Sequence, residues 1–185
     1  MTRIIAGAAG SLALAVPEAG TRPTSDRVRE SLFGALESAG AFDGAAVADL
    51  YAGSGALGLE AVSRGAASAD LVEKSPRAAS VTERNVRTVQ RAVPDARLQV
   101  HRMSADAFLR SGSSRFDLVF IDPPYDVTEG ELSGTLALLA PRLAADALVV
   151  IERATRSPAP ALPDGLVAVR DKRYGDTTLW WSQAV

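Results

Sequence analysis

The sequence predicts one α/β domain: a seven-stranded, mostly parallel sheet with helices on both faces, ending in an antiparallel C-terminal hairpin. Three observations predict it. From about residue 45 onward, short apolar runs alternate with amphipathic stretches, the pattern of strands joined by crossover helices. The last two runs are separated only by a short Tyr-Gly-Asp link, which leaves no room for a crossover and makes them a hairpin. The chain is 185 residues long and 47% hydrophobic, enough for one sizeable core and too short for two average domains.

Taken in order, residues 3–16 hold two apolar pieces, RIIAG and LALAV, around a Gly/Ala/Ser stretch, and predict a small β-hairpin. We therefore divide the chain into a hairpin extension over 1–20 and a main domain over 21–185. Pro23, Thr24, Ser25 and Asp26 supply turn and helix-start residues, and Val28, Leu32, Phe33 and Leu36 fall on one face of the helix that follows. Strands are expected at 45–51, 69–74, 97–102, 116–122, 147–152, 166–174 and 177–183. Helices are expected at 55–64, at 76–93 with Pro76 in the first turn, at 104–111 and at 129–143. The proline-rich stretch 157–165 reads as an exposed loop.

Composition narrows the chemistry. With no cysteine and a single histidine, His101, no disulfide framework, thiolate metal site or histidine cluster is expected, and we expect no metal. The apolar N-terminus lacks a charged n-region and no run of 18 apolar residues occurs, so a cytoplasmic protein without a membrane span is expected. The net charge of −2 argues by itself against a nucleic-acid binder. Distribution softens that objection: of 20 basic residues only Lys74 and Lys172 are lysines, and arginines cluster at Arg22, Arg27 and Arg29 and again at Arg170 and Arg173. Arginine suits bidentate contact with phosphate.

The strongest ligand signal is ADLYAGSGALGLEA. Asp49 closes a strand, Gly53 and Gly55 let backbone approach a ligand, and Gly58 permits close helix packing. The same loop fits the dinucleotide fingerprint, so it leaves the cofactor open. Glu73-Lys74 ends the second main strand, where a carboxylate can accept both hydroxyls of a ribose. After the third, Asp106 is placed to accept from an adenine amino group and Ala107 to offer a backbone N–H. Asp122-Pro123-Pro124-Tyr125 decides the chemistry. Two prolines remove two N–H donors and leave carbonyl acceptors beside a carboxylate and an aromatic ring, a site suited to an amino group. Acceptors aimed at both N–H bonds make the delocalised lone pair of an exocyclic amine nucleophilic, and Tyr125 can stack on the base.

These residues resemble the class I S-adenosylmethionine-dependent methyltransferases, and among them the RsmD-type 16S rRNA guanine-N2 methyltransferases. The resemblance runs through RIIAG, RPTSDRVRESLF, DLYAGSGALGLEA, VEKSPRA, SADAF, DPPY and KRYGDTTLWW. It implies a Rossmann-like fold and S-adenosyl-L-methionine as cofactor, with S-adenosyl-L-homocysteine as product. Asp49, Tyr51, Gly53, Gly55, Glu73, Lys74, Asp106 and Ala107 would bind that cofactor. Asp122, Pro123 and Tyr125 would hold the target amine, with Arg22, Thr24, Arg27, Arg29 and Pro124 on the substrate. The implied substrate is 16S rRNA within a small-subunit particle, modified at guanine 966, and the implied state a monomer. The family's hairpin is rich in Lys and Arg, whereas here Arg3 is its only nearby base, which shifts RNA contact onto Arg22, Arg27 and Arg29. A DNA adenine-N6 or protein glutamine methyltransferase would share Asp-Pro-Pro-Tyr, and an NAD-dependent oxidoreductase would share the glycine loop and Glu73.

Overall fold

The computed structural model describes residues 1–17 and 26–185. At the N-terminus β1 (Thr2–Arg3) pairs antiparallel with β2 (Ala13–Leu14), and α1 (Asp26–Ser38) follows. The main sheet comprises β3 (Ala46–Asp49), β4 (Ser68–Val72), β5 (Arg97–His101), β6 (Phe116–Ile121), β7 (Leu143–Ala154), β8 (Leu166–Tyr174) and β9 (Thr177–Ala184). Between them lie α2 (Ala56–Ser63), α3 (Pro76–Gln90), α4 (Ala105–Ser111) and α5 (Glu129–Leu139). The strand order is β5-β4-β3-β6-β7-β9-β8; the first five run parallel and β9 is antiparallel to both its neighbours. The expected fold class is the one observed.

Strand periodicity sorts the core. Val47, Leu71, Leu118, Phe120 and Val150 face one layer with residues of α1, α2 and α3, while Ala48, Val72, Val119, Ile121 and Ile151 face a second with α4 and α5. The α1 residues expected to face inward, Val28, Leu32, Phe33 and Leu36, are all buried. Ser75 caps α3 ahead of Pro76, and Thr128 with Glu131 forms a capping box at α5.

The largest differences from the expected boundaries lie at two elements. The helix expected to reach residue 143 ends at Leu139 and passes into a 3₁₀ turn over 140–142, because Pro141 has no N–H to continue the helical ladder. The strand expected at 147–152 extends over Leu143–Ala154, with a register shift against β6 and a left-handed Asp146 at φ 60°.

The N-terminal hairpin shares the core instead of standing apart. Ile4, Ala9 and Leu14 belong to the same buried cluster as Phe33 and Leu59. Glu60 of α2, fully buried, accepts from the N–H groups of Ile5 at 2.6 Å and Ala6 at 3.0 Å. Its carboxylate also meets Arg64 Nε at 2.8 Å and Arg29 Nη2 at 3.4 Å. Ser63 completes the dock, accepting from Ala9 N at 2.9 Å and donating to Ala6 O at 2.6 Å. A side chain at Gly7 would strike the Ser63 carbonyl at 1.9 Å, so only glycine allows this approach.

Arg29 is thereby corrected as an RNA contact. It is 2% exposed, with Nη1 on Thr2 Oγ1 at 2.6 Å and Nη2 on the Arg3 carbonyl at 2.8 Å, and burial lowers its pKa against the pull of Glu60 and Asp26. Removing Glu60 would take a buried carboxylate from this guanidinium and leave two part-buried backbone N–H groups without their acceptor. Glu60→Ala is expected to cost about 3–5 kcal/mol in urea unfolding; a loss below about 1 kcal/mol would mean that apolar contacts alone hold the hairpin.

Candidate active site

The parallel sheet reverses direction of travel between β3 and β6, and a cleft of about 530 Å³ opens at the carboxyl ends of the strands there. Leu50, Tyr51 and Gly53 line it after β3, Glu73 and Lys74 after β4, and Ser104, Ala105 and Asp106 after β5. Residues 122–127 line it after β6, and Glu152 to Ala154, Arg156 and Ser157 at the end of β7.

The loop between β3 and α2 is held from several sides. Glu73 accepts from Gly53 N at 2.9 Å and from Ser75 N at 2.7 Å. On α3, Thr82 Oγ1 donates to Gly53 O at 2.7 Å, and Asn85 Nδ2 donates to Ser54 O at 2.8 Å. Asn85 also pairs with both backbone groups of Ala15, at 2.9 Å each, so one side chain ties the loop to the end of the hairpin. Gly55, at φ 80°, begins α2, and a Cβ on Gly58 would stand 2.3 Å from Leu71 Cδ2, which makes glycine necessary for α2 to lie against β4.

Asp49 and Gly55 do not line the cleft. Asp49 is 1% exposed beneath the loop; Oδ2 accepts from Gly58 N at 3.1 Å and Oδ1 has no hydrogen-bond partner among the described residues. Burial, reinforced by the charge of Glu73 and opposed by the Gly58 N–H, pushes its pKa from 3.8 up to about 7. Ala107 is also off the cleft: its N–H goes to Ser104 Oγ, the cap of α4, at 3.2 Å. Asp106 faces the cleft and accepts from Thr135 Oγ1 at 2.6 Å. Burial raises the half-buried Tyr51 hydroxyl, against a hydrogen bond with Thr135.

At the other end, Asp122, Pro123, Pro124 and Tyr125 come together as expected, with Tyr125 64% exposed at the mouth. The Pro124 carbonyl is taken by Val127 N at 3.1 Å, which closes a turn and corrects the expectation that both proline-flanked carbonyls are free. Arg27 lies exposed on α1, whereas Arg22 and Thr24 lie outside the described residues. His101 is structural: Nε2 meets Asp70 Oδ1 at 2.8 Å and the ring lies on Phe108 at 4.6 Å. Thr82, Asn85 and Thr135 were missed by sequence reading. Their signal was polar residues on the apolar stripes of α3 and α5, where a buried hydroxyl or amide needs a defined partner.

Among the described residues, no group of three or more His, Cys, Asp or Glu could hold a metal, and no helix is long and apolar enough to cross a membrane. An adenosine-bearing cofactor fits the residues present. A Cβ on Gly53 would meet nothing within 4 Å, leaving bare backbone beside the cleft, and the Glu73 carboxylate keeps acceptor capacity beyond its two backbone bonds.

Comparison with known proteins identifies the family. Residues 2–183 match the family described as Conserved hypothetical protein 95. Ribosomal RNA small subunit methyltransferase D of Escherichia coli (strain K12) is 37% identical over 176 residues, covering 94% of this chain and 85% of that one. The chain belongs to this family. A solved Escherichia coli structure, yhhF, described as a candidate methyltransferase, superposes with a TM-score of 0.85 at 34% identity, over 98% of this chain and 97% of that one. Magnesium protoporphyrin IX methyltransferase of Synechocystis, solved with bound SAM, shares the fold with a TM-score of 0.67 at 13% identity, over 86% and 79% of the two chains. Membership in a methyltransferase family sets the dehydrogenase alternative aside.

The buried Asp49 makes stability depend on pH. Its folded pKa lies above the unfolded 3.8, so folding favours the protonated form and this contribution is lost as pH rises from about 4 through about 7. Asp49→Asn keeps an acceptor for Gly58 N–H without the ionisation. Urea unfolding should show the wild type losing stability relative to Asp49→Asn between about pH 4 and about pH 7; parallel curves would remove Asp49 as the source.

Proposed function

We propose that this protein transfers a methyl group from S-adenosyl-L-methionine to the exocyclic N2 amine of a guanine in the 16S ribosomal RNA of a small-subunit particle. The observation that carries this reading is one cleft lined by two chemically distinct sets of residues. Glu73 and the bare Gly53 backbone follow β4 and β3, and Asp122, Pro123 and the exposed Tyr125 follow β6, the neighbour of β3 on the other side.

On this reading Glu73 accepts the ribose hydroxyls, and Asp106 the adenine amino group. Asp49, buried under the loop, acts through the loop's shape. When bound, the cofactor supplies an electrophilic methyl on a sulfonium. The chain supplies position and charge: Tyr125 stacks on the splayed base, while Asp122 and the Pro123 carbonyl accept from the two N–H bonds of the amine. That geometry favours the pyramidal nitrogen and stabilises the positive charge that grows on it. With no cysteine in the chain, no thiolate addition to the base takes part. Asp122 then takes the released proton or passes it to water. Every group named comes from one chain, so a monomer suffices, and the substrate places it in the cytoplasm.

The test is transfer of labelled methyl to unmodified small ribosomal subunits, naked 16S RNA and DNA in parallel, with the modified nucleoside identified by mass spectrometry. N2-methylguanine in the subunit is the expected product, whereas label on adenine N6 or on protein would overturn the substrate. Asp122→Ala should lower kcat by about 100-fold or more while leaving cofactor affinity nearly unchanged; wild-type turnover in that variant would sink the assignment.

A further inference from the structure

The amine end of the cleft has a charge problem. Six carboxylates line the cleft, from Glu73, Asp106, Asp122, Asp126, Glu131 and Glu152, against three cations, Lys74, Arg153 and Arg156. A phosphodiester entering with the target base would meet a net negative field. One of them is committed elsewhere, and another answers a carboxylate of the cleft. Lys74 is exposed, and alongside the Thr128 hydrogen bonds its charge lowers the pKa of Glu131. Arg153 is 8% exposed, and its Nη2 donates to the Val127 carbonyl at 3.0 Å and to Glu129 Oε1 at 2.5 Å. Arg156 is exposed where it lines the cleft together with Tyr125, and no hydrogen bond or ion pair among the described residues engages its guanidinium.

Its backbone is built to hold it there. Ser157 N donates to Ala154 O at 2.8 Å, closing a turn with Arg156 at its third position. Thr155 pins that turn to the β8–β9 link: its N–H donates to Asp176 O at 2.8 Å and its hydroxyl to Gly175 O at 3.0 Å. The same hydroxyl meets Thr178 Oγ1 at 3.0 Å. Across the hairpin Thr178 pairs with Arg173, a second exposed arginine, directed to the same face of the sheet.

We propose that Arg156 binds the backbone phosphate of the target nucleotide, and that the RNA strand continues over the C-terminal hairpin, where Arg173 makes a second phosphate contact. The inference rests on the ribosomal RNA reading above and extends it. It also accounts for a weakly basic N-terminal hairpin and a buried Arg29: the cations that meet RNA lie at the far edge of the sheet from β5. Arginine suits the task because its fork donates to two phosphate oxygens at once.

Steady-state methyl transfer to small ribosomal subunits over a salt series tests this, with Arg156→Ala, Arg156→Lys, Arg156→Ala/Arg173→Ala and, as a control on α3, Arg84→Ala. Arg156→Ala should raise KM for the subunit on the order of tenfold with kcat and cofactor affinity nearly unchanged, and should flatten the log–log salt dependence of kcat/KM by about 1. Arg156→Lys should keep the wild-type salt slope, the double variant should flatten it further, and Arg84→Ala should match wild type. An unchanged KM and salt slope in Arg156→Ala would overturn the proposal while leaving the methyltransferase reading intact. Lost cofactor affinity would also overturn it, by moving Arg156 to the cofactor. Failure of the wild type to methylate subunits would overturn the ribosomal RNA reading itself.

Discussion

The backbone of residues 53–58 has to lie open to a ligand and still hold one shape, although its glycines bring no side chains to anchor it. Four polar side chains from three neighbouring elements solve this. Glu73 takes the Gly53 N–H, Thr82 and Asn85 donate to the Gly53 and Ser54 carbonyls, and Asp49 takes the Gly58 N–H from below. Each bond satisfies a backbone group that would otherwise be stranded as the loop leaves the sheet. Because α2 begins inside this loop, its position fixes Glu60, and Glu60 fixes the N-terminal hairpin. The hairpin is tied back to the loop through Asn85, so the cleft and the N-terminus form one mechanical unit.

Charge is arranged with comparable economy. The chain carries 22 acidic and 20 basic residues, which leaves no surplus for a broad phosphate-binding surface. Several arginines are spent internally: Arg29 and Arg64 on Glu60, Arg97 on Asp70, Arg153 on Glu129. Arg142, largely buried, satisfies the carbonyls of Leu109 and Ser114 at 2.7 Å. On the proposed reading, a few well-placed guanidinium groups beside the cleft matter more than net charge, and a structured ribonucleoprotein suits such a surface better than free RNA.

Much was legible in the sequence because the signals are local. Short apolar runs marked all seven main strands, and the stripe Val28, Leu32, Phe33, Leu36 marked the buried face of α1. Asp-Pro-Pro-Tyr announced an amine site because proline's missing N–H is a property of the residue itself. Arg29 misled because its neighbours in sequence, Arg22 and Arg27, suggest a basic surface. Nothing within a few residues reveals that position 29 faces Glu60, 31 residues away.

The sequence by itself determined the strand and helix order, the hairpin at the end, and the residue types at the two ends of the cleft, since periodicity and backbone restriction act over a few residues. Only the tertiary structure decided which charged groups face solvent and which face one another. It put Asp49 beneath the glycine loop and off the lining of the cleft, took Arg29 into the core, closed the Pro124 carbonyl with Val127, and left Arg156 exposed beside the cleft. Burial and electrostatic pairing are sums over everything that folding brings near a group, and those neighbours are scattered along the chain.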